Sequence, residues 1–337
     1  MNMSHSNNTI DLAPLKLKKI GILGYGNQGR AQALNLRDSG FKIFIGLRSN
    51  SQSRKIAHKD GFQSYSFEEI ATKADILMFL TPDETHSELF SVITASLSSR
   101  LSSPPLAQRA LAGIQTTMAI YPILGFSHSY SFILGDLKLP NNLKYFLVAP
   151  KATGIAMRKA YLSGGGVPVV VSWSHKNLKP LTLAYAKALG CTKNKVFYAN
   201  FKQEVISNLF SEQCLLPGGI LELLKQGYET MVENGISPLM AFYESFYKLK
   251  FMVDILLEKG VAGMFEAISP IASYGALTRG QKVCDKKIKQ RMKVILKDIK
   301  NGTFSKEWKK RESNLQKLKK SSFNKELEKL FLSSRNS

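Results

Sequence analysis

A glycine-rich turn near the amino terminus constrains the fold of this chain more than any other feature. The run Lys19–Leu23 is apolar and typical of a buried strand, and Gln28–Ser39 has the pattern of a helix. Glycines in such a turn permit a tight bend, a close approach to pyrophosphate and close packing of the helix on the strand. The motif predicts a dinucleotide site with phosphate at the helix amino terminus. Its residues are Gly24, Tyr25, Gly26, Asn27, Gln28 and Gly29.

The end of the second predicted strand, Lys42–Gly46, distinguishes between two dinucleotides. NAD-binding proteins of this type usually place a carboxylate there to bind a ribose hydroxyl. Residues 46–54 contain no aspartate or glutamate, and they include Arg48, Ser51 and Ser53. Guanidinium and hydroxyl donors suit a 2′-phosphate. The sequence therefore favours NADP(H) as the cofactor.

Strand and helix patterns alternate up to residue 200, which predicts an α/β fold with a Rossmann-type parallel sheet. Further strands are expected at Asp75–Leu80, Tyr145–Val148 and Val167–Val171, and a loop rich in serine and proline at Ser96–Pro105. Beyond residue 200 the strand pattern fades, which predicts a second domain made only of helices. The expected long helices are Gln203–Leu215, Gly219–Glu233, Pro238–Glu258 and Cys284–Ile299.

These patterns suggest four segments. The expected order is an amino-terminal tail at 1–16, an NADP-binding Rossmann domain at 17–200, a helical domain at 201–310 and a basic carboxyl-terminal tail at 311–337.

The net charge of +22 raises the question of an anionic partner. The excess lysine is concentrated after Gln281 and is interspersed with acidic residues, as on a solvated helical face. Neither zinc-ligand spacing nor aromatic residues among the basic ones support nucleic-acid binding. The absence of a long apolar run argues against a membrane span, and the amino-terminal residues lack the apolar core of a signal peptide. The 3 cysteines are widely spaced, which suits a reducing cytoplasm.

Several longer motifs resemble the ketol-acid reductoisomerase (acetohydroxy acid isomeroreductase) family in its short form. The resemblance extends from residue 17 to residue 308, and its most specific part is Ala33–Gly40. The other matching segments are Lys19–Gly29, Gly46–Arg48, Pro82–Glu84, Ala149–Lys151, Phe210–Gln213 and Gly218–Gly219.

The resemblance implies a Rossmann domain followed by an all-helical, knotted domain that interlocks two subunits as a homodimer. It implies NADPH-dependent reduction of an acetohydroxy acid after an alkyl shift, in the biosynthesis of valine, leucine and isoleucine. Two magnesium ions bound by carboxylates of the helical domain would act as Lewis acids.

The resemblance also assigns roles to single residues. It places Glu212 and Glu244 among the metal ligands, Ser269 at the substrate, and Lys151 and His128 in the active site. Pro82 and Asp83 lie in a shared motif and are expected near the cofactor.

Four positions depart from the family pattern. Asn208 stands where the family has a metal-bridging aspartate, and Lys248 stands where it has the last metal-binding glutamate. Tyr247 and Arg30 each replace a histidine, and extra residues are expected at 96–121.

The two ligand changes weaken the predicted magnesium site, because Mg²⁺ is bound largely through the charge of hard oxygen ligands. Asparagine offers one neutral oxygen, and Lys248 brings a positive charge. Glu244 and Lys248 are spaced to share one helix face, so a salt bridge between them is expected in the vacated space.

Several functions remain open at this stage. The chain could be a working ketol-acid reductoisomerase, or a divergent reductase of a 2-keto acid in which Lys248 replaces one Mg²⁺ and Lys151 or His128 donates a proton. It could also be a non-catalytic NADP-binding paralogue. Nucleic-acid binding is the least favoured function.

Overall fold

A sheet of eight strands organises the first part of the chain in the computed structural model, which describes residues 9–101, 121–311, 315–322 and 324–334. The chain divides into two units, Met1–Val205 and Ile206–Ser337. The strands are Ile20–Leu23 (β1), Ile43–Gly46 (β2), Ser64–Tyr65 (β3), Ile76–Phe79 (β4), Ile123–Phe126 (β5), Tyr145–Pro150 (β6), Val169–Trp173 (β7) and Val196–Tyr198 (β8).

The spatial order of the strands is β3-β2-β1-β4-β5-β6-β7-β8. Neighbouring strands are parallel except β6 and β7, which are antiparallel. The sheet is therefore mainly parallel, as the sequence predicts, with one antiparallel pair. The order reverses beside β1, at the switch point where open α/β sheets bind ligands outside the carboxyl ends of their strands.

Helices pack on both faces of the sheet, so its central strands are apolar on both sides. Ile76 and Met78 of β4 belong to one hydrophobic cluster, and Leu77 and Phe79 belong to the other. The main helices of this unit are Ala13–Lys16, Asn27–Asp38, Ser53–Lys59, Phe67–Lys73, His86–Leu101, Tyr130–Ile133, Gly154–Leu162 and Lys179–Ala188.

The helix His86–Leu101 shows that the expected loop at Ser96–Pro105 is wrong for residues 96–101. Ile93 and Leu97 are buried one turn apart, so apolar packing sustains the helix through its serines. Residues 102–120, which include most of the segment expected as an insertion at 96–121, lie outside the described residues.

The second unit contains only helices among its described residues, as the sequence predicts. Helix Leu249–Ala267 is kinked at Gly260, whose φ is +71°. The helices, including one that begins in the first unit and two π-helical turns, are Phe201–Cys214, Leu216–Ile220, Leu221–Glu233, Pro238–Phe242, Tyr243–Tyr247, Leu249–Ala267, Pro270–Val283, Lys286–Lys300, Thr303–Arg311, Leu315–Ser322 and Lys325–Ser333.

Neither end of the chain is a simple tail over its described part. In the expected tail at 1–16, Ile10 and Leu15 are buried against the first unit. In the expected tail at 311–337, Leu327 is buried in a cluster with Tyr228 and Phe242. The packing comes from apolar side chains that are spaced along these short helices. In the sequence, the high lysine content makes this apolar spacing hard to recognise. No helix in the described ranges is long and apolar enough to cross a bilayer.

Candidate active site

The glycine turn connects β1 to the helix Asn27–Asp38, and two of its glycines are required by space. Gly24 has a φ of +98°, and a Cβ there would lie 2.8 Å from the carbonyl oxygen of Leu80. A Cβ on Gly29 would lie 2.3 Å from the Gly24 carbonyl oxygen. A Cβ on Gly26 would meet nothing within 4 Å. The geometry fits a turn that is closed on the protein side and open to a ligand at Gly26.

The amino terminus of helix Asn27–Asp38 suits a phosphate group. Gly26 is the capping residue and supplies no side-chain hydrogen bond to the first turn. The backbone N–H groups of that turn and the positive end of the helix dipole are therefore suited to an anionic ligand. Gln28 lies in this first turn, and its Nε2 donates to the carbonyl oxygen of Ala152 at 2.9 Å.

Tyr25 is buried, and its hydroxyl donates to Asp60 Oδ2 at 2.9 Å. Arg30 also binds this carboxylate, through Nε at 2.7 Å and through Nη2 at 3.0 Å. The hydrogen bond from Arg30 is the main cause that lowers the pKa of Asp60. Burial, followed by the hydrogen bond to Asp60, raises the pKa of Tyr25. The Tyr25 phenol is thus engaged within the protein, so we expect its backbone rather than its hydroxyl to serve the cofactor.

The loop after β2 presents the residues expected to bind a 2′-phosphate. Arg48 is exposed, and its carbonyl oxygen accepts from the backbone N–H of Ser51 at 3.1 Å. The backbone N–H of Ser53 donates to Ser51 Oγ at 3.3 Å. The loop is therefore a compact turn with a guanidinium directed away from the core.

Three segments with polar candidates follow β4, β5 and β6, which are adjacent and parallel. They carry Pro82 and Asp83, His128, and Lys151 respectively. Parallel strands end at the same edge of the sheet, so these groups lie at the edge that also holds the glycine turn. His128 Nδ1 lies 3.0 Å from Asp83 Oδ2. Pro82 caps the short turn that carries Asp83.

A buried glutamate that the sequence did not predict holds Lys151. The Glu204 side chain is 1% exposed, and its Oε1 accepts from Lys151 Nζ at 3.0 Å. Its Oε2 accepts from the backbone N–H of Ser129 at 3.2 Å and lies 2.7 Å from the Ser129 hydroxyl. The carboxylate therefore fixes the position of the lysine ammonium. Glu204 lies one turn before Asn208 on the same helix face, and this spacing is the one sequence signal that could have found it.

His86 is a second group that the sequence analysis missed. It is buried beside Phe79 and Phe126, and burial lowers its pKa. Its Nε2 lies 3.0 Å from the carbonyl oxygen of Thr81, an acceptor only, so Nε2 carries the proton. Nδ1 then accepts from the Ser131 hydroxyl at 2.9 Å. His86 is therefore a neutral packing residue under the candidate edge.

The second unit carries the remaining predicted residues. The expected ion pair is formed: Lys248 Nζ donates to Glu244 Oε2 at 2.8 Å. Glu212 is exposed and Asn208 half-buried on helix Phe201–Cys214. Ser269 caps helix Pro270–Val283 by accepting from the N–H of Ala272 at 3.3 Å, a role that the resemblance did not suggest. Across the described part of the chain, no group of three or more His, Cys, Asp and Glu side chains could hold a metal ion.

A Rossmann-type sheet, an open glycine turn, and a histidine and a lysine at the same edge are typical of a dinucleotide-dependent oxidoreductase. Comparison with known families identifies which one. Residues 14–102 and 104–195 match the model described as "Acetohydroxy acid isomeroreductase, NADPH-binding domain", and residues 201–332 match "Ketol-acid reductoisomerase, C-terminal domain". The chain belongs to the ketol-acid reductoisomerase family.

Individual relatives agree with this assignment. The chain is 40% identical over 302 residues to the ketol-acid reductoisomerase (NADP(+)) of Petrotoga mobilis, covering 88% of this chain and 85% of the relative. It is 39% identical over 297 residues to that of Pyrococcus abyssi, covering 87% and 83%. Among solved structures it is similar to an NADH-preferring ketol-acid reductoisomerase from an uncultured archean, with a TM-score of 0.87, 30% identity and coverage of 99% and 98%.

Proposed function

We propose that this chain is an NADPH-dependent reductase of the ketol-acid reductoisomerase family that acts on a small 2-keto acid or acetohydroxy acid. One observation carries the proposal: the segment that bears Lys151 packs against the glycine turn and is hydrogen-bonded to it. Gln28 binds the carbonyl oxygen of Ala152, and a Cβ on Gly154 would lie only 2.0 Å from the Asn27 carbonyl oxygen. These contacts support a site in which the residues proposed to bind phosphate and the proposed proton donor lie close together.

The residues of the glycine turn and the loop at Arg48 fit NADP(H). The first-turn N–H groups after Gly26 would hold the pyrophosphate, and Arg48 with Ser51 and Ser53 would hold the 2′-phosphate. When bound, the nicotinamide would supply the two electrons for reduction of a carbonyl. We expect cofactor discrimination to depend on the charge of Arg48.

The groups at the carboxyl edge of the sheet have distinct roles in this proposal. Glu204 holds Lys151 in a fixed direction, so that its ammonium can stabilise an oxyanion and donate a proton to the carbonyl oxygen. Asp83 fixes the orientation of the His128 ring through the contact at Nδ1. The keto acid would bring a carboxylate, for which the ammonium is also a suitable partner.

The carboxylates of the second unit do not fit a pair of magnesium ions. The Glu244 carboxylate already accepts from the Lys248 ammonium, which would compete with a metal ion for the same oxygen. Asn208 can offer only a neutral oxygen. We therefore derive no metal-dependent step for this chain, and we expect reduction rather than the alkyl shift to be its main chemistry.

The reductase proposal is tested by replacing Lys151 with methionine and following NADPH oxidation with 3-hydroxy-3-methyl-2-ketobutyrate. We expect a loss of kcat of about a hundredfold or more, the typical contribution of a positioned proton donor. Lys159→Met removes an exposed lysine from the next helix and serves as the control. Equal rates in the Lys151 and Lys159 variants would contradict the proposed role of Lys151.

We also propose that the chain is a homodimer through its second unit. Helices Leu249–Ala267 and Pro270–Val283 have no buried residue in the single chain. Their exposed apolar residues include Leu257 and Ile271, which are 80% and 82% exposed. Apolar surface of this kind is characteristic of protein interfaces. Interlocking of the helical domains stays a prediction.

Light scattering of the purified chain is expected to give the mass of a dimer. Leu257→Glu together with Ile271→Glu should shift it toward the mass of one chain, whereas Lys159→Glu should not. A monomeric parent chain would contradict this proposal. We place the protein in the cytoplasm, on the support of three cysteines that form no disulfide.

A further inference from the structure

Arg54 makes an unusual number of hydrogen bonds around the loop that follows β2. It lies in the first turn of helix Ser53–Lys59 and is only half-exposed. Its Nε donates to the carbonyl oxygen of Arg48 at 2.8 Å, and its Nη2 donates to the carbonyl oxygen of Leu47 at 2.8 Å. Its Nη1 donates to Ser64 Oγ at 3.0 Å. One guanidinium therefore joins the end of β2, the loop and the edge strand β3.

The hydrogen bonds of the loop converge on the same backbone atoms. The Arg48 carbonyl oxygen accepts from the Ser51 N–H as well as from Arg54, so both of its lone pairs are used. The N–H of Leu47 pairs with the carbonyl oxygen of Tyr65 in β3 at 3.0 Å. Without the Arg54 side chain, the loop would keep the backbone hydrogen bonds of its turn and the pairing of Leu47 with Tyr65. It would lose the side-chain hydrogen bonds that join Leu47 and Arg48 to Ser64.

The two arginines of this region differ in what their side chains contact. The Arg54 donors are directed at the protein backbone and at Ser64. The Arg48 guanidinium is exposed and makes no hydrogen bond or ion pair to any other residue that the structure describes. Arg48 is therefore the group suited to contact a 2′-phosphate, and Arg54 is suited to keep the backbone of Arg48 in place.

We infer that Arg54 is a positioning residue that sets the preference for NADP(H) over NAD(H) by holding the loop at Arg48, without touching the cofactor. The inference rests on the proposed binding of NADP(H). A loop already ordered before binding loses less conformational entropy when the phosphate arrives. The gain applies only to ligands that carry the 2′-phosphate, because the pyrophosphate is bound by the glycine turn elsewhere.

Replacing Arg54 with lysine separates the effect of its hydrogen bonds to the loop from the effect of its charge. A lysine keeps the positive charge near the phosphate, but its single ammonium cannot reproduce the planar set of donors that reaches Leu47, Arg48 and Ser64 together. If Arg54 acted only through its charge, lysine would preserve the preference. If it acts through its hydrogen bonds to the loop, the lysine and glutamine variants should lose the preference for NADP(H) to a similar extent.

The experiment is calorimetric titration of the full chain with 2′,5′-ADP and with 5′-AMP, which differ only in the 2′-phosphate. We expect Arg54→Lys and Arg54→Gln to bind 2′,5′-ADP about tenfold more weakly, equivalent to one charge-assisted hydrogen bond. Their affinity for 5′-AMP should remain within about twofold of the parent value. Lys55→Gln removes an exposed neighbouring charge and should change neither affinity.

Parental affinity of Arg54→Lys for 2′,5′-ADP would overturn the inference, because charge alone would then suffice. An equal loss for both ligands would also overturn it, because that pattern indicates general loosening of the domain. A parent chain with no preference for 2′,5′-ADP would refute the proposed cofactor itself. In that case both proposals fail, whereas the first two results leave NADP(H) binding intact.

Discussion

The replacement Glu204→Gln removes the charge of a buried carboxylate in the candidate site. Glu204 is 1% exposed, whereas the Lys151 side chain retains 30% exposure and thus some contact with water. Breaking a fully buried pair costs about 3–5 kcal/mol, and because Lys151 is partly solvated we expect about 2–3 kcal/mol here. Glutamine also turns an NH₂ group toward either Lys151 or the N–H of Ser129, so that two donors face each other.

The stability change is measured by urea unfolding at pH 7, followed through the fluorescence of Trp173 in the first unit. Trp308 is replaced by phenylalanine in every variant so that a single tryptophan reports. A loss of about 2–3 kcal/mol corresponds to a melting temperature lower by about 4–12 °C in a domain of this size. Glu88→Gln, at an exposed helix position, is the control and should cost less than about 0.5 kcal/mol. Equal effects of the two replacements would refute the assignment of Glu204 as a buried, charge-paired anchor.

Three further predictions follow from the geometry. Gly29→Ala places a Cβ 2.3 Å from the Gly24 carbonyl oxygen, so NADPH binding measured by fluorescence should be lost. Gly227→Ala, in helix Leu221–Glu233 with open space around the added Cβ, is the control and should retain it. Burial lowers the pKa of His86, so the unfolded chain takes up a proton first, and the free energy of unfolding should fall as the pH drops below about 6.5. The free energy of unfolding should decline less steeply with falling pH in His86→Gln than in the parent chain. Identical pH profiles of the two proteins would contradict this prediction. Asn208→Asp combined with Lys248→Glu should gain Mg²⁺ binding in calorimetry relative to the parent, whereas an unchanged heat signal would show that other groups prevent it.

The strands that the sequence predicted are those whose signal is local. β1, β2 and β4 are apolar runs next to helical patterns, and burial on both faces explains their lack of alternation. β3 is only Ser64–Tyr65 and is defined by pairing with β2. Such a strand leaves no periodicity to detect. β5 contains Gly125, where a Cβ would lie 2.0 Å from Met78 Sδ, so its glycine reflects close packing rather than a turn.

The sequence predicted those candidate-site residues that lie in motifs. It did not predict the residues whose role arises only from their burial in the folded chain. Lys151 and His128 lie in segments that resemble the family, and the pair Glu244–Lys248 follows from helical spacing. Glu204 looks in the sequence like an ordinary solvated helix residue, because only the fold brings the donors of Lys151 and Ser129 to its buried carboxylate. His86 lies in a polar stretch, and its burial between aromatic rings depends on strands β4 and β5 meeting at that point.

NADPH oxidation with 2-acetolactate and with 3-hydroxy-3-methyl-2-ketobutyrate, each with Mg²⁺ and with EDTA, separates reduction from the alkyl shift. Acetolactate requires the alkyl shift before reduction, whereas the keto acid requires reduction alone. We predict turnover of the keto acid in EDTA and little turnover of acetolactate in either condition. Turnover of acetolactate that depends on Mg²⁺ would contradict this prediction, because the site at Glu244 and Lys248 would then support the metal chemistry that its charges are expected to prevent.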